Sequence, residues 1–308
     1  MSQETPTQQA SVLAALSNDL AGAVESISPS LVTVHGRRRL SASGIVWNGD
    51  GLIVTANHVV ERDDDLSITT SDDSTHEVAL VGRDQGSDIA LLYVEGASLS
   101  PALASGTVPK PGHMVLAVGR PGKNGAMASL GVVSLVGGEW RTSEGTSVES
   151  FVRSDAAMLP GFSGGALIDS SGNVIGMNSS TIGRRGGLTV PYDAVASVVA
   201  ALKTHGKVRK GFLGIGTQSV ELNSALKTSL GLDQQRALVI VSIQADGPAE
   251  RSGLMIGDVL LSIDGTRLAT VEELQDHLTG EIVGHQAAVS LIRGGSILEN
   301  PVTVGERG

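Results

Sequence analysis

The stretch SDAAMLPGFSGGALIDSSGNVIGMN, residues 154–178, places Ser163 in a tight run of glycines: Gly161, Phe162, Ser163, Gly164 and Gly165. A serine nucleophile needs its Oγ exposed on a sharp turn, with backbone N–H groups aimed at one point to hold an oxyanion. Gly161 lets its amide face that point without a Cβ in the way, and Gly164 and Gly165 leave room for substrate. The amides of Gly161 and Ser163 are the expected donor pair. On its own the motif also reads as a plain glycine-rich turn.

A serine hydroxyl is a poor nucleophile without a base, so the search moves outward for one. VTANHVV, residues 54–60, supplies His58 at a strand end, ahead of an acidic loop. SDIALLYV, residues 87–94, offers Asp88 just before an apolar strand, where a carboxylate can orient an imidazole and fix its tautomer. A surface histidine and a strand-start aspartate are the ordinary alternatives. The order His58, Asp88, Ser163, with separations of 30 and then 75 positions, is that of the chymotrypsin architecture and not of subtilisin-like or α/β-hydrolase enzymes.

The surrounding pattern agrees. From Leu31 to Val190, short apolar runs such as LVTVHG, GLIVTA, IALLYV and HMVLAVG alternate with Gly, Asp, Ser and Asn turns, the signature of an all-β barrel or sandwich. A parallel α/β fold needs a long helix between strands, and none is legible there. Helical spacing is found over residues 11–27 and 193–204. HGKVRKG, residues 205–211, is a short basic linker. Beyond it come strands over 212–219 and 237–243, and a helix over 270–278 with Thr270 and Glu273 in capping-box positions. A last strand over 287–293 completes a small α+β unit. The expected fold is mainly β: a double β-barrel followed by that α+β domain. The expected divisions are a flexible segment 1–16, a first domain 17–205, a linker 206–211 and a second domain 212–308.

Composition bounds the chemistry. The 308 residues carry 40 glycines, 10 prolines, 2% aromatics and a formal charge of −10, which argues against a phosphate-binding or base-stacking surface. Cysteine is absent, excluding disulfides, a thiol nucleophile and cysteine-bound zinc. No HExxH motif, histidine cluster or P-loop points to a metal or nucleotide, so no cofactor is expected. The N-terminus does not read as a signal peptide and no window reads as a membrane span. That leaves the compartment open: cytoplasmic if the N-terminus is native, periplasmic or extracellular if a leader was removed.

These blocks together resemble the HtrA (Deg) group of trypsin-like serine proteases with C-terminal PDZ domains. The resemblance rests on SGIVWNGDGLIVTANHVV (43–60), VGRDQGSDIALLYV (81–94), VGRPG (118–122), SLGVVSLV (129–136), the serine block and GLTVPYDAV (187–195). It implies a chymotrypsin-like double barrel with His58, Asp88 and Ser163 as the catalytic triad. It also implies cofactor-free hydrolysis of unfolded or misfolded polypeptide in protein quality control, and a homotrimer. The specificity pocket falls on Met158, Ser180 and Ile182. None of these is acidic, so cleavage after small or medium apolar residues is expected. RKGFLGIGTQS (209–219) resembles the carboxylate-binding loop of such PDZ domains. Leu213, Gly214 and Ile215 would then hold a peptide C-terminus, with Val271, Leu274 and Leu278 walling the groove; the same three residues also suit the domain's own core. A basic linker in water describes Arg209 and Lys210. Phe162 stands where the family carries Asn and zymogens carry Asp, which makes activation by zymogen cleavage an unlikely switch. With Leu159, it leaves open a second reading, a non-catalytic peptide-binding or chaperone-like protein. An esterase on small acyl substrates is disfavoured, because the α/β-hydrolase pattern is missing.

Overall fold

The computed structural model describes residues 11–37, 40–138, 140–141, 147–148, 150–182, 187–278 and 280–306. The chain divides into two compact units, 1–207 and 208–308.

The first unit opens on helix α1 (Val12–Ile27), whose N-cap Ser11 accepts a hydrogen bond from the Ala14 amide. The segment expected to be flexible over 1–16 therefore includes the first turn of a capped helix; residues 1–10 lie outside the described part. Twelve of the strands that follow belong to two barrels. They are β1 (Leu31–His35), β2 (Ala42–Val46), β3 (Leu52–Ala56), β4 (Leu66–Thr69), β5 (Thr75–Asp84), β6 (Ile89–Tyr93), β7 (Met114–Gly119) and β8 (Met127–Gly137). A small hairpin of β9 (Trp140–Arg141) and β10 (Ser147–Val148) interrupts the series before β11 (Phe151–Ser154), β12 (Ala166–Ile168), β13 (Val174–Ser179) and β14 (Leu188–Pro191).

Among the described residues, β1 to β6 close in the order β1-β2-β3-β6-β5-β4, and the second set in the order β7-β8-β11-β14-β13-β12. The two orders are the same path, so one topology is used twice without any repeat in the sequence. Closure removes the open strand edges that would otherwise invite pairing with another chain. β2 and β3 are buried at every position, which explains why they read as continuous apolar runs rather than alternating ones. β4 escaped the sequence reading because its Leu66-Ser67-Ile68-Thr69 follows an acidic loop and carries only two apolar residues.

Helix α2 (Tyr192–His205) closes the unit, packing on β5 and β6 of one barrel and β13 of the other. Trp47 stacks on Tyr192 with ring centroids 4.5 Å apart, pinning the start of α2 to the first barrel. Gly206 ends it in the left-handed conformation (φ +70°), its amide bonded to the Leu202 carbonyl.

The second unit begins with β15 (Gly211–Phe212) and β16 (Ile215–Glu221), then α3 (Ser224–Leu230), β17 (Arg236–Ile243), α4 (Pro248–Arg251), β18 (Val259–Ile263) and β19 (Thr266–Arg267). Helix α5 (Val271–His277), β20 (Gln286–Arg293), β21 (Ser296–Thr303) and β22 (Gly305–Glu306) complete it. Its main sheet runs β16-β17-β18-β20-β21, leaving β16 at an edge. The capping box expected at α5 is present. The expected last strand is not the last: Gly294 and Gly295, both at positive φ, turn β20 back into β21 along eight paired positions. That partner was hidden because Ser296–Thr303 is mostly exposed and contains Pro301. The strand expected over 212–219 is broken at Gly214, whose φ of +76° is left-handed. Among the described residues, no helix is long and apolar enough to cross a membrane.

Candidate active site

His58 lies in a 3₁₀ turn (Asn57–Val59) directly after β3, and Asp88 directly before β6, the strand that pairs with β3. Ala56 and Ile89 are partners in that ladder, so strand register alone brings residues 58 and 88 together. Asp88 adopts φ +56°, a conformation that short polar residues such as Asp tolerate. It is held there by the Asn57 amide, which donates to the Asp88 carbonyl at 2.9 Å.

Asp88, 4% exposed, has its side chain ringed by donors. His58 Nδ1–H donates to Oδ2 at 2.7 Å and the His58 amide to Oδ1 at 2.9 Å. The hydroxyls of Ser179 and Thr181 donate to Oδ2 at 2.5 and 3.0 Å. Burial pushes this carboxyl up, but the hydrogen bond and charge of His58, the Ser179 hydroxyl and the His58 amide outweigh it. The carboxyl is left below its ordinary value. With Nδ1 committed to Asp88, Nε2 is the His58 nitrogen left to take a proton.

Ser163 sits on a turn clamped from three directions. The Gly164 amide donates to the Asn178 carbonyl, and the Asn178 amide to the Gly165 carbonyl. Buried Ser43 donates its amide to the Ser163 carbonyl at 3.1 Å and its hydroxyl to the Gly161 carbonyl at 2.7 Å. The glycines at 164 and 165 serve this clamp rather than room for substrate, which corrects their expected role. A Cβ on Gly164 would lie 2.1 Å from the Ser43 carbonyl oxygen, and one on Gly165 would lie 2.3 Å from that of Val118. Gly161, at φ +83°, would meet Pro121 at 2.3 Å. The amides of Gly161 and Ser163 make no hydrogen bond within the protein among the described residues, which leaves both available to an outside acceptor.

Phe162 is fully buried in the core of the second barrel with Val115, Val133, Val152 and Leu167, and Leu159 packs against that cluster. Phe162 is thus a core residue, and Leu159 covers the same cluster from the side while staying partly exposed.

The three residues expected in the specificity pocket part company. Met158 and the backbone of Ser180 both lie against Gly187, within 3.4 Å of a Cβ built there. Ile182 is 4% exposed. Ser180 is the nearest neighbour of the nucleophile candidate: its Oγ is 2.8 Å from Ser163 Oγ and 3.4 Å from His58 Nε2, and its amide donates to Ser163 Oγ at 3.3 Å. Ser43, Ser179 and Thr181 were missed by sequence reasoning. The hydroxyl run Ser179-Ser180-Thr181 straight after a buried strand was the available signal for two of them; Ser43 gave none.

In the second unit, β16 presents its free edge beside α5. The carbonyls of Leu213 and Gly214 are tied inward by the amides of Ala249 and Gln244, each at 2.8 Å. Among the described residues the amides of Leu213 and Gly214 have no acceptor. Ile215, next along, is partly buried where β16 begins. Leu274 is 4% exposed and belongs to the domain core with Leu213; Val271 and Leu278 pack against that core while staying partly exposed. The reading of all three as groove wall therefore holds in exposure only for the outer two. Arg209 is not a solvated linker charge: its Nε lies 3.3 Å from the Glu306 carboxylate.

The trypsin-like peptidase domain family matches residues 42–177 and the PDZ domain family residues 211–304. A probable periplasmic serine endoprotease DegP-like of Ectopseudomonas mendocina is 36% identical over 279 residues, covering 88% of this chain and 58% of that protein. The protein of the same description from Pseudomonas putida is 37% identical over 270 residues, covering 85% and 55%. The chain thus spans a little over half the length of these relatives. Among solved structures, the HtrA-type protease AlgW with decapeptide aligns with TM-score 0.77 and 27% identity over 94% of this chain and 99% of that one. The same protease with tripeptide gives 0.75 and 29% over 94% and 97%. Two closed barrels followed by a PDZ domain, matched along nearly the whole chain, place this chain in the HtrA (Deg) family of trypsin-like serine proteases that carry a PDZ domain.

Proposed function

We propose that the chain is a serine endopeptidase that cleaves unfolded or misfolded polypeptides without a cofactor, with Ser163 as nucleophile, His58 as general base and then acid, and Asp88 as the group that orients His58. The observation that carries this reading is the 2.7 Å bond from His58 Nδ1 to buried Asp88, with Ser163 one hydroxyl away on the other side of the imidazole. Asp88 fixes the tautomer that leaves Nε2 basic. It also stabilises the imidazolium formed when the proton of Ser163 is taken. The Gly161 and Ser163 amides, without an acceptor among the described residues, would receive the negative charge on the tetrahedral oxygen.

Met158, Ser180 and Ile182 bring no carboxylate to the expected pocket, which suits small or medium apolar residues before the cleaved bond. The PDZ domain would take peptide C-termini by adding a strand to the edge of β16, with the amides of Leu213, Gly214 and Ile215 on the carboxylate. The assembly would be a homotrimer. The alternative of a non-catalytic, chaperone-like protein drew its support from Phe162 and Leu159; burial of Phe162 in the core, with Leu159 packed against it, gives both side chains a packing role and weakens that support.

Casein digestion tests the proposal. The unaltered chain degrades it and Ser163→Ala does not, with product C-termini rich in Val, Ala and Leu. Equal digestion by both proteins refutes the nucleophile, and cleavage strictly after Arg refutes the pocket.

A further inference from the structure

We infer that Ser180 is a positioning residue that holds Ser163 away from His58 in the resting site and must be displaced for attack. This rests on the reading of Ser163 as nucleophile.

Ser163 Oγ is bound to residue 180 twice: it shares a 2.8 Å hydrogen bond with Ser180 Oγ and accepts from the Ser180 amide at 3.3 Å. Among the described residues it makes no hydrogen bond to His58 Nε2. A general base must come within about 3.2 Å of the proton-bearing atom. Ser180 Oγ neighbours both groups, yet it is 3.4 Å from Nε2, longer than a working O–H···N bond. The short link is therefore the one that retains the nucleophile, and the long one is the link a proton relay through Ser180 would need. Neighbouring hydroxyls do not share this position: Ser179 and Thr181 point their hydroxyls at Asp88. Ser180 is exposed at the end of β13, where an incoming substrate can reach it, so its bond to Ser163 can be exchanged for substrate contacts without opening the core.

A small phosphorylating reagent, diisopropyl fluorophosphate, reads the Ser163–His58 contact without help from extended substrate binding. In that reaction the Ser163 Oγ–P bond forms as the P–F bond breaks; the serine proton passes to His58 Nε2 and fluoride leaves. Ser180→Ala removes one hydrogen bond that must otherwise be broken, so the second-order labelling rate is expected to rise about 5-fold. Casein hydrolysis should rise less, because substrate binding already drives the displacement. Ser180→Thr, which keeps the hydroxyl, returns the labelling rate toward that of the parent chain. The melting temperature of Ser180→Ala stays that of the parent, since the side chain is in solvent. An unchanged rate in Ser180→Ala overturns the inference, and a fall overturns it in favour of a relay. Labelling that persists in Ser163→Ala overturns the nucleophile assignment and this inference with it. Labelling confined to Ser163 with no response at residue 180 overturns this inference alone.

Discussion

Asp88 is buried, held in a left-handed backbone conformation, and bonded to His58 and two hydroxyls at once. Replacing it with Asn keeps the shape but allows the amide to donate, which turns His58 to the wrong tautomer. Asp88→Asn should therefore lower kcat about a thousandfold or more, with a much smaller change in KM. The carboxylate also contributes to folding. Its acidity in the fold lies below the ordinary carboxylate value of 3.8, so its stabilisation is present above that value and lost as pH falls through the folded one. In urea titrations, the gap between the midpoints of the parent chain and Asp88→Asn should be open at about pH 6 and narrow below about pH 4. A gap that widens in acid contradicts the assigned direction. Residues 58, 88 and 163 stand out in the sequence because each lies in a distinctive block. Ser43 was not legible, since its role depends on a strand turning past the serine loop 120 residues later.

The serine loop is an element whose shape comes from packing as much as from hydrogen bonds. Phe162 is its anchor in the second barrel, so Phe162→Ala should cost about 3–5 kcal/mol of stability, measured by chemical denaturation of the first unit. A loss below about 1 kcal/mol would mean that the side chain is dispensable. Sequence pattern gave the barrel strands wherever both faces are buried, because such strands are apolar throughout. It failed at β4, β21 and α3, which are half-exposed or polar and owe their conformation to partners distant in the chain. Leu274 and Ile182 are each 4% exposed, a depth of burial that helical spacing and motif position do not reveal. The capping box of α5 was legible, being written in four consecutive residues. Thr270→Ala should lower stability of the second unit by about 1 kcal/mol.

At the scale of the molecule, two barrels with one strand order meet α2 in a single unit, and the PDZ domain forms a second unit with its own core. The barrels have no visible repeat because a closed barrel constrains only which positions are apolar, and Val, Leu, Ile and Ala are interchangeable there to first order. The proposed trimer belongs to this scale. Sedimentation equilibrium should return three times the mass of one chain, and a monomer mass would remove the trimer without touching the chemistry. The most direct measurement of the central claim is the mass-mapped site of a fluorophosphonate adduct on the native protein. One adduct is expected, on Ser163, and it is lost in His58→Ala. An adduct on another residue, or one on Ser163 undiminished in His58→Ala, would contradict it.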